Sequence, residues 1–541
     1  MDFSLDPAVV LAALARVLEP YNLLMIVAGV VGGIVIGVIP GLGVVMAVGL
    51  LIPVTFTMPP EVSMSLLVAV FVGGVSGSCV TAILIRMPGT PASVATVIDG
   101  FPMAQRGEGG RALANAVVAS FFGTVISGAI LVLLAPLVAA FALRFHFPEY
   151  VAVTAFAITA VAAITGSTIT RGLVTALVGL LAATFGMSEA DGMPRFHFGL
   201  AQMTGGIALL PALIGLFAVS QIMHDALRPD IGEGARARLE RTLPSLADNR
   251  GSFGNYLRSG LIGTFVGIVP ALGGGPAGLI AYAQAKNASK EPHKFGTGHL
   301  PGVIAAETAN NATIGGALII MLTLGIPGDP ATAILIGGLM IHGLAPGPQL
   351  FLNNPEIVYA IYFSVFFGSL VMMAVLLVFM RPLARVASVP KRILLPLLVV
   401  VASAGVYAIN NRVFDIGVMC VFGLIGYVFD RYRYPLPPFV LGLVLGPLIE
   451  GNFRKMLGQY GSVWPLFTQP IALAFVLLSV ASIAYSLYRR RRGGGLLAEG
   501  SGGEPAAPGS QPACALISTS TNTNSNGLSL TTSCSTPARR A

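Results

Sequence analysis

Ile326-Pro327-Gly328-Asp329-Pro330-Ala331-Thr332 interrupts a long apolar stretch, and Met87-Pro88-Gly89-Thr90-Pro91-Ala92-Ser93 interrupts another in the same way. A proline removes a backbone donor and clashes with the preceding turn, and a glycine beside it adds freedom, so a helix must stop there. In hydrocarbon each backbone group freed by such a stop costs several kcal/mol, so the break persists only where protein, water or ligand satisfies it. The residues that follow specify a restart. Thr90 and Asp329 are N-cap types, and Pro91 and Pro330 suit the first helical position. Each stretch reads as helix, break, capped new helix.

A second pair of breaks lies upstream of each: Gly37-Val38-Ile39-Pro40-Gly41-Leu42-Gly43 returns as Gly267-Ile268-Val269-Pro270-Ala271-Leu272-Gly273. Pro40 and Pro270 are 230 positions apart and Pro88 and Pro327 are 239 apart, so the order is kept with nine extra residues in the second copy. The polar stretch from Lys286 to His299 has no counterpart in the first half and accommodates them. Ordered duplication of this kind is a habit of transporters. The spacing predicts a first membrane repeat over 20–223, an Arg-rich connection over 224–254, a second repeat over 255–433, and additional membrane segments over 434–488. Inversion of the repeats is favoured by analogy with carriers that have broken or re-entrant helices.

The rest of the chain agrees with a membrane setting. Of 541 residues only 10% are charged and 55% are apolar, and the mean hydropathy is +0.83; soluble domains carry about 25% charge. Ala112 to Leu143 contains no charged residue and is flanked by Arg111 and Arg144. That exceeds the ~20 residues one crossing needs. Counting all such runs gives roughly 11 to 13 crossings or half-crossings. The fold class is therefore an all-α polytopic membrane protein.

The net charge of +8 does not imply nucleic acid, because its carriers sit where cytoplasmic loops are expected. Arg228, Arg236, Arg238, Arg241, Arg250 and Arg258 crowd the long connection, and Arg489 to Arg492 follow the last apolar run. Cys79, Cys420, Cys514 and Cys534 lack metal-ligand spacing and imply neither disulfide nor zinc. Residues 1–19 lack the basic start of a cleavable signal and read as a short interfacial segment with a periplasmic N-terminus. Residues 489–541 turn to Gly, Ser, Thr, Asn and Pro, a composition expected of a disordered cytoplasmic tail.

The breaks carry the expected chemistry. A restarted helix aims unpaired N–H groups and its positive dipole end into the break, which suits a carboxylate without a buried cation. Candidate substrate contacts are therefore Pro88, Gly89, Thr90, Pro91 and Ser93 in one half and Pro327, Gly328, Pro330 and Thr332 in the other, with the amides of Asn310 and Asn311. Arg86 can pair with a carboxylate through its planar fork or snorkel to headgroups. Pro40, Gly41, Gly43, Pro270, Gly273 and Gly274 offer backbone carbonyls for a coupling cation, or make ordinary tight turns. Glu307 is an ionisable residue at depth, or an interfacial helix cap after Pro301. Asp329 would repel a substrate carboxylate, so it suits Na+ or a proton, or else plain N-capping. Asp99-Gly100-Phe101-Pro102, followed by Arg106 and Arg111, reads as a solvated loop. No metal site and no organic cofactor are expected.

Gly37 to Gly43, Ile83 to Ser93, Asp99 to Ala104, Glu307 to Ala312 and Leu324 to Pro330 occur in an order that resembles the large membrane subunit of the tripartite tricarboxylate transporters, over about Asn22 to Leu448. The resemblance implies a periplasmic solute-binding protein and a small membrane subunit as partners. It further implies uptake of small organic carboxylates, citrate-like tricarboxylates among them, across the bacterial inner membrane, driven by a Na+ or proton gradient. It implies no ATP use, and the chain lacks a G-x-x-x-x-G-K-[ST] loop. The chain departs from the family pattern at Arg86, where Asn is usual, at Asp329, where Ser is usual, and at Val44, where Pro is common. Two other readings compete. One is a carrier or channel that works alone. The other is an intramembrane serine protease, suggested by Gly74-Val75-Ser76-Gly77. A nucleophilic serine needs a base, and of the six histidines only His342 has a mainly apolar context.

Overall fold

The computed structural model describes residues 7–39, 42–87, 89–164, 169–188, 192–227, 243–249, 251–270, 272–386 and 391–491. Pro40, Gly41 and Pro88, most of the Arg-rich connection and residues 492–541 lie outside the described residues. Apart from a two-residue antiparallel ladder that pairs Gly186 with Arg195, the described regular structure is helical.

Among the described residues, nine helices are long and apolar enough to cross a membrane: Pro20–Val38, Pro60–Ile85, Gly109–Ala142, Leu209–Ala226, Leu300–Leu324, Pro355–Val378, Val413–Arg431, Leu436–Tyr460 and Pro470–Tyr488. The expectation of roughly 11 to 13 segments counted apolar runs. Several of those runs fold as shorter helices, including Gly43–Thr55, Ile169–Ala183 and Pro330–Ile341, which a proline, a glycine or a break cuts below the length of a crossing. Burial sorts the long helices. The most apolar windows of Pro60–Ile85 and Leu300–Leu324 are 94% and 100% buried, against 6% for Pro470–Tyr488, so the first two form the centre and the last lies at the periphery.

Small residues bring the central helices together. A Cβ on Gly33 or Gly37 would overlap the carbonyl oxygen of Val70 or Gly74, so Pro20–Val38 runs parallel to Pro60–Ile85 at backbone contact. Gly263 and Gly267 meet Ala309 and Thr313 in the same manner, setting Phe253–Ile268 parallel to Leu300–Leu324. Gly109–Ala142 also runs parallel to Leu300–Leu324, because Gly123 abuts Thr308 and Ser127 abuts Gly315. Against Pro60–Ile85 it runs the other way: Gly109 lies by Leu84, whereas Ser76 and Ser120 meet at Asn311. The two central helices therefore point in opposite directions.

The breaks fold back toward the centre. A Cβ on Gly89 would lie 2.6 Å from the Gly37 carbonyl oxygen and 3.2 Å from Ser78; one on Gly328 would lie 3.0 Å from the Gly267 oxygen and 2.5 Å from the Ala317 Cα. Each preceding helix ends on a left-handed residue, Arg86 at φ 59° and Gly325 at φ 69°.

One expected loop is a helix. Val94–Gln105 carries Asp99 with its side chain fully buried, not solvated. Burial is possible because the Lys286 to His299 stretch folds over Asp99 and supplies its hydrogen bonds.

Candidate functional site

The acid and amides of Leu300–Leu324 meet hydroxyls from three other helices. Thr96 Oγ1 of Val94–Gln105 donates to Glu307 Oε1, and Ser120 Oγ of Gly109–Ala142 lies 3.3 Å from Oε2. Asn311 Nδ2 donates to Ser120 Oγ at 2.8 Å and to the Glu307 carbonyl at 3.1 Å, and lies 3.4 Å from Oε2. From Pro60–Ile85, Ser76 Oγ donates to Asn311 Oδ1 at 2.6 Å. Glu307, Asn311, Thr96, Ser120 and Ser76 are all fully buried. The interfacial-cap alternative for Glu307 therefore does not hold: it lies two turns inside the helix, whose N-cap is His299. Ser76 likewise bonds to an amide and to Val72 O, not to a catalytic base.

Beside this satisfied network lie polar atoms without a well-aligned hydrogen bond. Asn310 is buried next to Glu307, yet neither its Nδ2 nor its Oδ1 has such a partner, and Thr90 Oγ1 and Thr308 Oγ1 are in the same condition. Buried polar groups left this way are rare and costly, of order 1–3 kcal/mol each. The Asn310 side chain points at Gly274, where a Cβ would overlap Oδ1 and would also lie 2.7 Å from Ala92 Cβ. A Cβ on Gly275 would be 3.1 Å from Pro91 O. The start of helix Gly274–Asn287 and the restart at Pro91–Ser93 thus meet across Asn310.

Each half also brings its own two breaks together. Gly43 (φ 62°) faces Thr90 Cγ2 at 3.8 Å and Gly273 (φ 60°) faces Asp329 Cβ at 4.0 Å, each distance taken from an ideal Cβ on the glycine. The two restarts differ in detail. Asp329 Oδ1 accepts from Thr332 N at 2.7 Å and Thr332 Oγ1 accepts from Asp329 N at 2.9 Å, a complete capping box. Thr90 occupies the N-cap with extended φ and ψ, but its hydroxyl caps nothing. Ser93 Oγ instead donates to Thr90 O at 3.1 Å. Pro327, Gly328 and Thr332 are buried, with Asp329, Pro330 and Pro270 partly so. Arg86 is exposed, with its guanidinium 5.8 Å from the Phe101 ring centroid, outside the group around Asn310.

Asp99 was missed as a structural centre. Its Oδ1 accepts from the backbone N–H groups of Gly296, Gly298 and His299 at 2.8–2.9 Å, and Oδ2 accepts from Tyr282 Oη at 2.8 Å. Arg106 closes the same loop from outside through Thr297 O and Gly298 O. Burial pushes the His299 imidazole below its usual range, against the pull of Asp99. A signal did exist: Thr96 and Asp99 stand three apart, on one face of a helix. Ser120 left no such signal in its apolar run.

The Tripartite tricarboxylate transporter TctA family matches residues 23–441. An uncharacterized 52.8 kDa protein in the TAR-I ttuC' 3' region of Agrobacterium vitis is 33% identical over 471 residues, covering 87% of this chain and 94% of that protein. An uncharacterized protein in the TAR-II ttuC' 3' region of the same organism is 35% identical over 226 residues, which is 42% of this chain and 93% of that protein. No solved structure matches. Transporters of this family are not enzymes, and among the described residues no group of three or more His, Cys, Asp or Glu is placed to hold a metal. With the family match over most of the chain, a relative matched nearly end to end and a helical bundle suited to lipid, this chain belongs to the tripartite tricarboxylate transporter TctA family of membrane permeases.

Proposed function

We propose that this chain is the large membrane subunit of a binding-protein-dependent secondary transporter in the bacterial inner membrane, importing small organic carboxylates with a Na+ or proton gradient. A periplasmic solute-binding protein delivers the substrate and a small membrane subunit completes the complex. The observation that carries this reading is the meeting of the Pro91 restart and the Gly274 helix start around an Asn310 amide and a Thr90 hydroxyl that lack a well-aligned hydrogen bond. Asn310 Nδ2, Thr90 Oγ1 and the N–H groups of two helix starts are donors, and a carboxylate is the ligand that accepts from all of them. Gly89 and Ser93 shape this site, while Pro327, Gly328, Pro330 and Thr332 shape its counterpart.

The same reading treats 20–223 and 255–433 as inverted repeats with re-entrant breaks. Support comes from the opposed central helices, and from spacing. Ser78 and Ala317, the residues behind Gly89 and Gly328, are 239 positions apart, and Gly37 and Gly267 are 230 apart. Alternating access then moves one half against the other around the breaks. Arg106, Arg111, Lys286 and Lys294 mark one end of the bundle as cytoplasmic.

The test is uptake of labelled citrate and related carboxylates into proteoliposomes that hold the chain with its binding protein and small subunit. Uptake that depends on the binding protein, and fails with Asn310→Ala, is expected. Full uptake by the chain alone would replace this reading with a stand-alone carrier.

A further inference from the structure

Glu307 sits one helical turn before Asn310, yet among the described residues no cation is paired with it. Among the described residues its hydrogen-bond partners are two hydroxyls and an amide, and no Lys, Arg or His forms an ion pair with it. The elements packed around it bring the following titratable or charged groups. Pro60–Ile85 contributes Cys79, and Val94–Gln105 contributes Asp99, already held by Tyr282 of Gly274–Asn287. Gly109–Ala142 contributes Arg111, paired with Asp248 at 2.5 Å and with Glu108 at 3.3 Å. Phe253–Ile268 contributes Tyr256, bonded to Asn249, and Arg258, bonded to Asn255. Gly274–Asn287 also contributes Lys286, which is exposed in the last turn of that helix, three turns from its start beside Asn310; Arg111 and Arg258 are bonded to other groups.

We infer that Glu307 carries the coupling ion, and that the ion is a proton. The inference rests on the carboxylate-permease reading and narrows its driving ion. A hydroxyl donates to a carboxylate and, after rotating, accepts from a carboxylic acid, so Thr96 and Ser120 serve both states without moving. Asn311 argues against Na+. Its Nδ2 hydrogens, which cannot ligate a cation, point at Glu307 Oε2 and Ser120 Oγ, while its one oxygen is taken by Ser76. Hard cations need a shell of oxygen lone pairs, and here donors stand where those would be.

The step balances simply. A proton from water on the outer side forms an O–H bond at a Glu307 Oε, and that bond breaks on the inner side as the proton returns to water. While Glu307 is charged, a substrate carboxylate at Asn310 meets a like charge at short range in a medium that screens it little. Protonation removes that repulsion, so substrate and proton enter together. The position 239 residues earlier is Val68, which leaves the first half without a matching carrier.

The test uses the full complex and dicyclohexylcarbodiimide, which labels protonated carboxyls in apolar surroundings, with the adduct located by mass spectrometry. An adduct on Glu307 that declines as pH rises, and is the same in NaCl and choline chloride, is expected; Glu307→Gln loses it. Protection by Na+ at fixed pH would overturn the inference. So would the absence of an adduct at low pH together with no infrared carboxylic-acid band that Glu307→Gln removes. A pH dye inside proteoliposomes gives the second arm, with citrate as probe in Na+-free medium. Acid entry with citrate supports the proton, and citrate uptake that requires Na+ and brings in no acid sinks it while leaving the permease reading intact. A Glu307 adduct without uptake of any carboxylate offered would leave the proton site and remove the carboxylate.

Discussion

Pro60–Ile85 and Leu300–Leu324 are both central and almost equally buried, yet Val68, Phe71 and Val72 on the first lie 239 positions before Glu307, Asn310 and Asn311 on the second. Both helices receive a parallel neighbour through glycines at backbone contact. What they share is therefore the demand of packing, and where they differ is chemistry. The middle of the first helix is apolar at Val68, Phe71 and Val72, whereas the second carries an acid and two amides that meet hydroxyls from Ser76, Thr96 and Ser120. The breaks repeat the contrast. Asp329 is committed to capping its own helix, whereas the Thr90 hydroxyl is free to meet a ligand.

The comparison is broken most severely at the glycines. Gly37→Leu and Gly267→Leu place side chains on the Gly74 and Thr313 backbones, and each is expected to cost about 3 kcal/mol or more, read as loss of the monodisperse peak in detergent. A marked difference between them would show that the halves are not packed alike. Asn310→Ala comes next. Losing a hydrogen bond to a charged ligand costs about 1.5–3 kcal/mol, or roughly 10- to 150-fold in apparent affinity for carboxylate, with the melting temperature held because Asn310 has no well-aligned partner to lose. Phe71→Ala should do the reverse, lowering the melt with little change in affinity per folded molecule.

Asp99→Asn breaks an asymmetric feature, the loop that only the second half possesses. It should cost about 2 kcal/mol and open Lys286 to His299 to limited proteolysis. At the caps, Asp329→Ala is expected to cost about 1 kcal/mol and Thr90→Ala almost nothing in stability, since Thr90 makes no cap bond. Equal melting shifts would erase the difference between the breaks. The smallest effect is at Arg86, whose left-handed backbone costs about 1 kcal/mol for a side chain. Arg86→Gly should raise stability by a few tenths once the added freedom of the unfolded chain is subtracted.

Much of this was legible without coordinates. Pro-Gly steps inside apolar runs stop helices wherever they occur, and Thr90, Pro91, Asp329 and Pro330 mark restarts because capping and proline preference are local properties. The glycine contacts are local in origin too, since only a residue without a Cβ permits them. The site itself was half legible. Glu307, Asn310 and Asn311 stand out as polar residues in an apolar helix, but Thr96, Ser120 and Ser76 do not, because a lone hydroxyl in a span has many uses.

By itself, then, the sequence determined a polytopic helical protein, the positions of its breaks and the family to which they point, all of which follow from hydropathy, proline and capping within short windows. Only the tertiary structure decided that Asp99 is a buried clasp instead of a loop residue, that Asp329 caps its helix, and that Arg86 lies exposed against Phe101, away from the group around Asn310. It also decided which hydroxyls surround Glu307. The reason is physical: whether a polar atom is satisfied depends on partners brought from helices far away in sequence, and Ser76, Thr96 and Ser120 reach the Glu307 and Asn311 side chains across separations of 187 to 235 residues.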